Sequence, residues 1–235
     1  MSYPLEKLPT IPDNLEVMDP AKALPYMMAF MKNTLIEGLS NVHRLAPQIS
    51  SSHPSFKPFM EYIRRLCDTL ALHFQADELF FRAPAIVKAL STSCCPSTGS
   101  TRKNLDKLRD LAELYSKTPS LYSPSTIRAS LSFGPEMVKI MRQHICAVNC
   151  EKLSKIGAEP LRALILDNIR WFESNSDICF TVPFILAHHD PSTSKLWPVV
   201  TDGSKQMLPS LIQQYIQCWS LAPYHPITRQ PQVLV

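Results

Sequence analysis

Between Phe59 and Phe81 the chain reads FMEYIRRLCDTLALHFQADELFF. Core-type positions recur there at Phe59, Ile63, Leu66, Leu70, His73, Asp77 and Phe80, three or four residues apart. That spacing predicts a helix with one face turned toward other helices. Two adjacent positions on the stripe, His73 and Asp77, are polar and stand one turn apart. An unpaired polar group on a buried face costs about 1–3 kcal/mol, so something must satisfy them: a metal, a ligand or each other.

The rest of the chain repeats the helical period. Residues 1–20 are studded with proline and are expected to run extended over the surface. Asp19-Pro20 is a helix start, and Met28, Met31, Leu35, Leu39 and Val42 mark a first amphipathic helix from Ala21 to about Leu45, with Lys32 beside its stripe. The second helix runs on from Phe59 to about Leu90, with Pro84 as a kink or early end. A small-residue break, STSCCPSTGS, precedes a third helix on Leu105, Leu108, Leu111 and Tyr115. A fourth follows Pro135, with Met137, Met141, His144 and Val148 on its stripe, and Pro160 opens a fifth helical segment. After Ser174 the pattern dissolves into a proline-broken tail with one short helix near Leu208–Trp219. No stretch alternates as a strand does. The expected fold is all-α: an up-down four-helix bundle over residues 21–158, with an extra helix and an irregular extension over 159–235 packed on it as one domain.

Composition narrows the function without naming it. At 235 residues the chain is long enough for one full core, and 45% apolar with 19% charged residues is an ordinary soluble balance. The net charge of +4 is spread along the chain, with no dense basic run interleaved with aromatics, so no nucleic-acid footprint is expected. The longest apolar run, near Phe180–Ala187, is short, contains Pro183 and predicts no membrane span. Seven cysteines without a CxxC pair suit reduced thiols and a cytoplasmic location. Cys146 and Cys150 make at most half a zinc site and are expected as buried thiols. His43 and His53 are expected at the surface, and His188-His189-Asp190 in a surface turn.

The run His73-Phe74-x-x-Asp77-Glu78-x-x-Phe81 resembles the signature of hemerythrin-like (HHE cation-binding) domains. The tail adds to this, since Phe184-Ile-Leu-Ala-His188-His189-Asp190, Leu196-Trp197-Pro198 and Trp219-Ser-Leu-Ala-Pro223 look like the C-terminal extension of fungal members. The resemblance spans about residues 20–225. It implies two irons held between four helices by histidines and carboxylates. The ligand pattern departs from that at nearly every point. The first-helix histidine position falls on Lys32, and the second helix keeps His73 but offers the shorter Asp77. Thr98 and Arg102 stand near the third-helix positions, and Ile140 and His144 at those of the fourth. Positive side chains in place of imidazoles would repel a bound dication.

If the bundle forms, Lys32, His73, Asp77 and His144 project into one interior volume. Asp77 would hold the His73 imidazole, and Lys32 would lower the Asp77 pKa. Met28, Met31, Leu35, Leu70, Phe80, Ile140 and Met141 would form an apolar pocket around them. The expectation is a metal-independent acid/base site that binds an apolar small molecule or transforms it by isomerisation, dehydration or cyclisation. The fungal resemblance implies a secondary-metabolism setting. Two alternatives stand: a mononuclear iron protein with His73, Asp77 and His144 as ligands, and a structural remnant in which the groups bridge one another. Trp197 and Trp219 are expected to anchor the tail. The oligomeric state is open.

Overall fold

The computed structural model describes residues 3–11, 14–91, 97–194 and 196–233. The small-residue break expected after the second helix falls largely on residues 92–96, outside the described residues, as do parts of the N-terminal stretch. In chain order the helices are α1 (Pro20–Leu45), α2 (Phe56–Arg82), α3 (Pro84–Leu90), α4 (Gly99–Lys117), α5 (Pro124–Ser130), α6 (Gly134–Ala147), α7 (Cys150–Ser154), α8 (Ala158–Asn175), α9 (Ile178–His188) and α10 (Asp202–Leu211). A 3-10 segment, Ile212–Leu221, follows α10. Among the described residues there is no strand; Tyr224 and Pro231 form an isolated bridge.

Local chemistry sets the ends of these helices. The Asp19 carboxylate accepts the Ala21 amide at 2.9 Å, with Pro20 in the first turn of α1. Pro84 ends α2 rather than kinking it. The preceding Ala83 takes ψ 132°, the extended conformation that a following proline favours.

Two stretches depart from the expectation. The first is the apolar run after Ser174, which is helical: α9, capped by Asp177 through the Cys179 amide at 3.1 Å. It packs on α1, α10 and the 3-10 segment. A helix buried on several sides has no polar face, so it carries no amphipathic period. Pro183 forfeits one backbone bond there without breaking the helix. The expected helix at Leu208–Trp219 is divided between α10 and the 3-10 segment, with non-helical angles at Tyr215. The second departure is the N-terminal stretch, which is tied down rather than loosely extended. Leu5 and Leu8 are buried, the Leu5 amide donates to Ser40 Oγ, and Asn33 bonds both the amide and the carbonyl of Leu8.

The apolar residues form two cores. The larger runs from Leu5 to Leu221 and is built mainly on α1, α2, α4, α6 and α9, with the 3-10 segment against it. The smaller joins the start of α1 and the end of α2 to α3, α7 and α8, through residues such as Leu24, Phe80, Ile86, Leu153 and Leu161. Among the described residues, no helix is long and apolar enough to cross a membrane.

Candidate functional site

Lys32, His73, Asp77 and His144 come together where the two cores meet. Along α1, Lys32 lies between Leu24 of the smaller core and Leu35 of the larger. Along α2, His73 and Asp77 lie between Leu70 and Phe80, and along α6, His144 lies between Met141 and Val148. Three helices thus each interrupt their apolar stripe at the same level. Lys32 and His144 are fully buried, and His73 and Asp77 keep 6% and 7% of their surface.

Lys32 Nζ donates to Asp77 Oδ2 at 2.6 Å and to His73 Nε2 at 3.0 Å. An ammonium carries no acceptor, so His73 Nε2 must be the lone-pair nitrogen and its proton sits on Nδ1. His144 Nδ1 donates to the same Asp77 oxygen at 2.7 Å. This corrects one expected detail. His73 Nε2 is 3.6 Å from Asp77 Oδ2, too far for a hydrogen bond. Lys32 therefore orients His73, while Asp77 orients His144.

The electrostatics follow from this geometry. Burial and the adjacent Lys32 ammonium push the His73 pKa down to about 3, so the ring is neutral near pH 7. Burial alone would raise the Asp77 pKa. The Lys32 charge, His73 and the hydrogen bond from His144 outweigh it and hold the carboxyl well below the usual carboxylate range. The site thus contains an ion pair and a neutral imidazole with a fixed tautomer. Aromatic rings close around it. Phe172 meets His73 edge-on at 6.4 Å, and Phe81 lies 5.7 Å from the His144 ring.

The resemblance implies iron, and the residues present do not fit it. Lys32 Nζ sits between the two nearest would-be ligands, His73 Nε2 and Asp77 Oδ2. Among the described residues, no group of three or more His, Cys, Asp or Glu side chains is arranged to hold a metal ion. Of the third-helix positions, Thr98 Oγ1 donates to Glu78 Oε1 at 2.6 Å, and Arg102 Nη2 lies 3.1 Å from that oxygen. Arg102 is one-third exposed and pairs with Glu78 at the periphery, away from the interior volume that the resemblance suggested.

The seven residues assigned to an apolar pocket are placed as core. Leu35, Leu70, Ile140 and Met141 are buried in the larger cluster and Phe80 in the smaller, with Met31 and Met28 half-buried against them. A cleft of about 290 Å³ lies elsewhere, between α2, the start of α4 and the α8–α9 turn, and none of the seven lines it.

A second buried polar network was missed in the sequence. His188 and His189 are 1% and 2% exposed, not in a surface turn. His188 Nδ1 donates to the Phe184 carbonyl at 2.8 Å, so its Nε2 accepts from the Tyr62 hydroxyl at 2.6 Å. Asn41 Nδ2 donates both to the Tyr62 oxygen and to the Leu221 carbonyl. His189 donates to the Ser194 carbonyl and lies edge-on to Trp197, which stacks on Phe30. Trp219 is buried, with its indole N–H on the Ile212 carbonyl. His43 is half-buried, stacked on Tyr3 and bonded by Arg128, and His53 is also half-buried. Cys146 is exposed and Cys150 half-buried, because they flank the break between α6 and α7 rather than facing a core. Comparison of the chain with protein-family models, with curated proteins and with solved structures finds no match.

Proposed function

We propose that this is a hemerythrin-like protein, built on an up-down bundle of α1, α2, α4 and α6, which has exchanged a metal centre for an internal ammonium. In this reading the polar cluster binds an apolar small molecule and acts on it without metal. The observation that carries it is the convergence of Lys32, His73, Asp77 and His144 from three helices into one hydrogen-bonded group in the core. Buried ion pairs give little net stability, and perturbed ionisable groups gather at functional sites.

The roles follow from the protonation states. His73 is neutral and its conjugate acid is strong, so it serves poorly as a base near pH 7. Its Nδ1–H is a donor suited to polarising a carbonyl oxygen, the task of a neutral imidazole electrophile. Lys32 fixes that tautomer, and Asp77 holds Lys32 and His144 in register. The chemistry best matched is polarisation of a substrate carbonyl by the His73 Nδ1–H, the electrophilic half of an isomerisation, dehydration or cyclisation. The test is genetic and chemical. The gene is replaced by a His73→Asn form in the organism that carries it, and small-molecule extracts are compared with wild type and a null strain. Loss of the same compound in the null and the variant, with the variant protein present at normal level, supports the reading. A variant that matches wild type sinks it.

A second reading is favoured by one observation: Lys32 and His144 have no exposed surface, and the groups satisfy one another. On that reading the cluster is a structural ion pair that sets helix register. A null strain with an unchanged extract would favour it.

A further inference from the structure

Helix α8 carries two stripes of four residues, each spaced four, three and four apart. The inner stripe is Leu161, Ile165, Asn168 and Phe172. Leu161 and Ile165 are buried in the smaller core, Asn168 Nδ2 donates to the Ala76 carbonyl at 2.8 Å, and Phe172 meets the His73 ring. The outer stripe is shifted by one residue: Arg162, Leu166, Ile169 and Glu173. At 3.6 residues per turn these four lie within about 60° of one another, roughly a quarter turn round from the inner stripe. Leu166 is 42% exposed and Ile169 37%, with Arg162 and Glu173 exposed at the two ends.

A single exposed apolar residue needs no explanation. Among the described residues, the other exposed large apolar side chains fall singly on their helices or in loops, and Leu166 and Ile169 are the two that share a helix. They stand one turn apart, as the a and d residues of a two-helix seam do. The flanking charges indicate what covers them. Read forward, the stripe is base, apolar, apolar, acid; read backward, it is acid, apolar, apolar, base. A second α8 laid antiparallel, with the two-fold axis between Asp167 and Asn168, sets Leu166 against the partner's Ile169 and Arg162 against the partner's Glu173, each contact occurring twice. A parallel pairing would set like charges face to face at both ends. Neither charge is strongly committed within the chain. Arg162 Nε lies 3.6 Å from Glu159 Oε1 in an exposed pair on the same helix, and the Glu173 carboxylate forms no ion pair among the described residues.

We propose that the outer face of α8 pairs with the same face of a second copy of this chain, antiparallel and two-fold symmetric. The contact spans three turns of one helix on each side, the low end of interface sizes, so it is weak and reversible. None of the four cluster residues lies on the outer stripe, so the pairing stands or falls independently of the chemistry proposed for Lys32 and His73.

Sedimentation of the intact protein from about 10 µM to about 1 mM measures this, and the expected result is a monomer–dimer equilibrium with a dissociation constant on the order of 100 µM. Leu166→Lys should weaken it by about tenfold or more. The charges then test the orientation. Arg162→Glu and Glu173→Arg each set like charges opposite one another in the homodimer, and each should associate about tenfold more weakly than wild type. Mixed in equal amounts, the two variants should form a heterodimer about as tight as the wild-type pair, because every facing pair is again opposite in sign. Both substitutions lie at exposed positions and suit their end of the α8 dipole, so circular dichroism at low concentration should be unchanged. A wild type that stays monomeric to about 1 mM hands the face to some other partner and overturns the proposal. Association undiminished by Leu166→Lys, or a mixture of the charge variants no tighter than either alone, overturns it as well.

Discussion

Lys32 Nζ lies 2.6 Å from Asp77 Oδ2, and no part of the Lys32 residue reaches solvent. An isolated charge at that depth would be expensive, so each member of the pair depends on the other. Lys32→Met leaves the Asp77 carboxylate buried with His144 as its remaining close donor. The expected cost is about 3–5 kcal/mol, read as a lowered urea midpoint. The double variant Lys32→Met/Asp77→Leu is expected to be more stable than the sum of the two single losses by about 2–3 kcal/mol. Additive losses would show that the two side chains do not share their energy.

The same pair shows what the sequence made legible. His73, Asp77 and His144 are polar residues on strongly periodic apolar stripes, and periodicity alone placed them inside. Lys32 was less legible, because a lysine beside a stripe is ordinarily a solvated one; its place came from the family resemblance. The partner choice was not legible at all. Whether Asp77 reaches His73 or His144 depends on where α1 and α6 cross α2. Nor was α9 readable as a helix, since uniform apolar character and Pro183 hide a helical period when neighbours cover the helix on several sides. His188 went astray with it. At the third-helix positions, the resemblance suggested an inward Arg102, and its pairing with Glu78 set it at the rim instead.

Stability is expected to fall steeply in mild acid. His73 and His188 have folded pKa values of about 3, against about 6.5 for an unfolded histidine. Between those values the unfolded chain binds protons that the folded chain refuses, so stability is complete above pH 6.5 and is lost as pH falls toward 3. Asp77, also depressed, adds a loss of the same sign below about pH 3.9, the unfolded value. Each histidine contributes a slope of up to about 1.4 kcal/mol per pH unit. Urea unfolding at pH 7.5, 6, 5 and 4.5 measures this. His73→Asn should flatten the slope by about one proton, and an unchanged slope would mean that His73 titrates alike in both states.

Tyr62 ties the tail to the helices through its hydroxyl, which donates to His188 Nε2 and accepts from Asn41 Nδ2. Tyr62→Phe leaves the His188 nitrogen without that donor, whereas Asn41 keeps its bond to the Leu221 carbonyl. The expected loss is about 1–3 kcal/mol. Hydrogen exchange should quicken first around Phe184–His188 and Leu221, because those groups share the network. Uniform acceleration across the chain would show that the network is not a local clamp.

Gly38 sets how closely α9 approaches α1. A Cβ there would stand 2.7 Å from Phe184 Cζ and 2.9 Å from Leu66 Cδ1, well inside contact distance. Alanine favours a helix interior over glycine by about 1 kcal/mol. Forcing a methyl into a filled core costs about 1–3 kcal/mol, and here both neighbours are fully buried. The packing term should win, so Gly38→Ala is expected to lower the melting temperature. Gly203 in α10 provides the contrast. Its added Cβ would meet only Thr201 Oγ1, at 3.9 Å, so Gly203→Ala, in the first turn of that helix, introduces no clash and should hold or slightly raise the melting temperature. If the two variants shifted in the same direction, the close packing of α9 on α1 at Gly38 would be wrong.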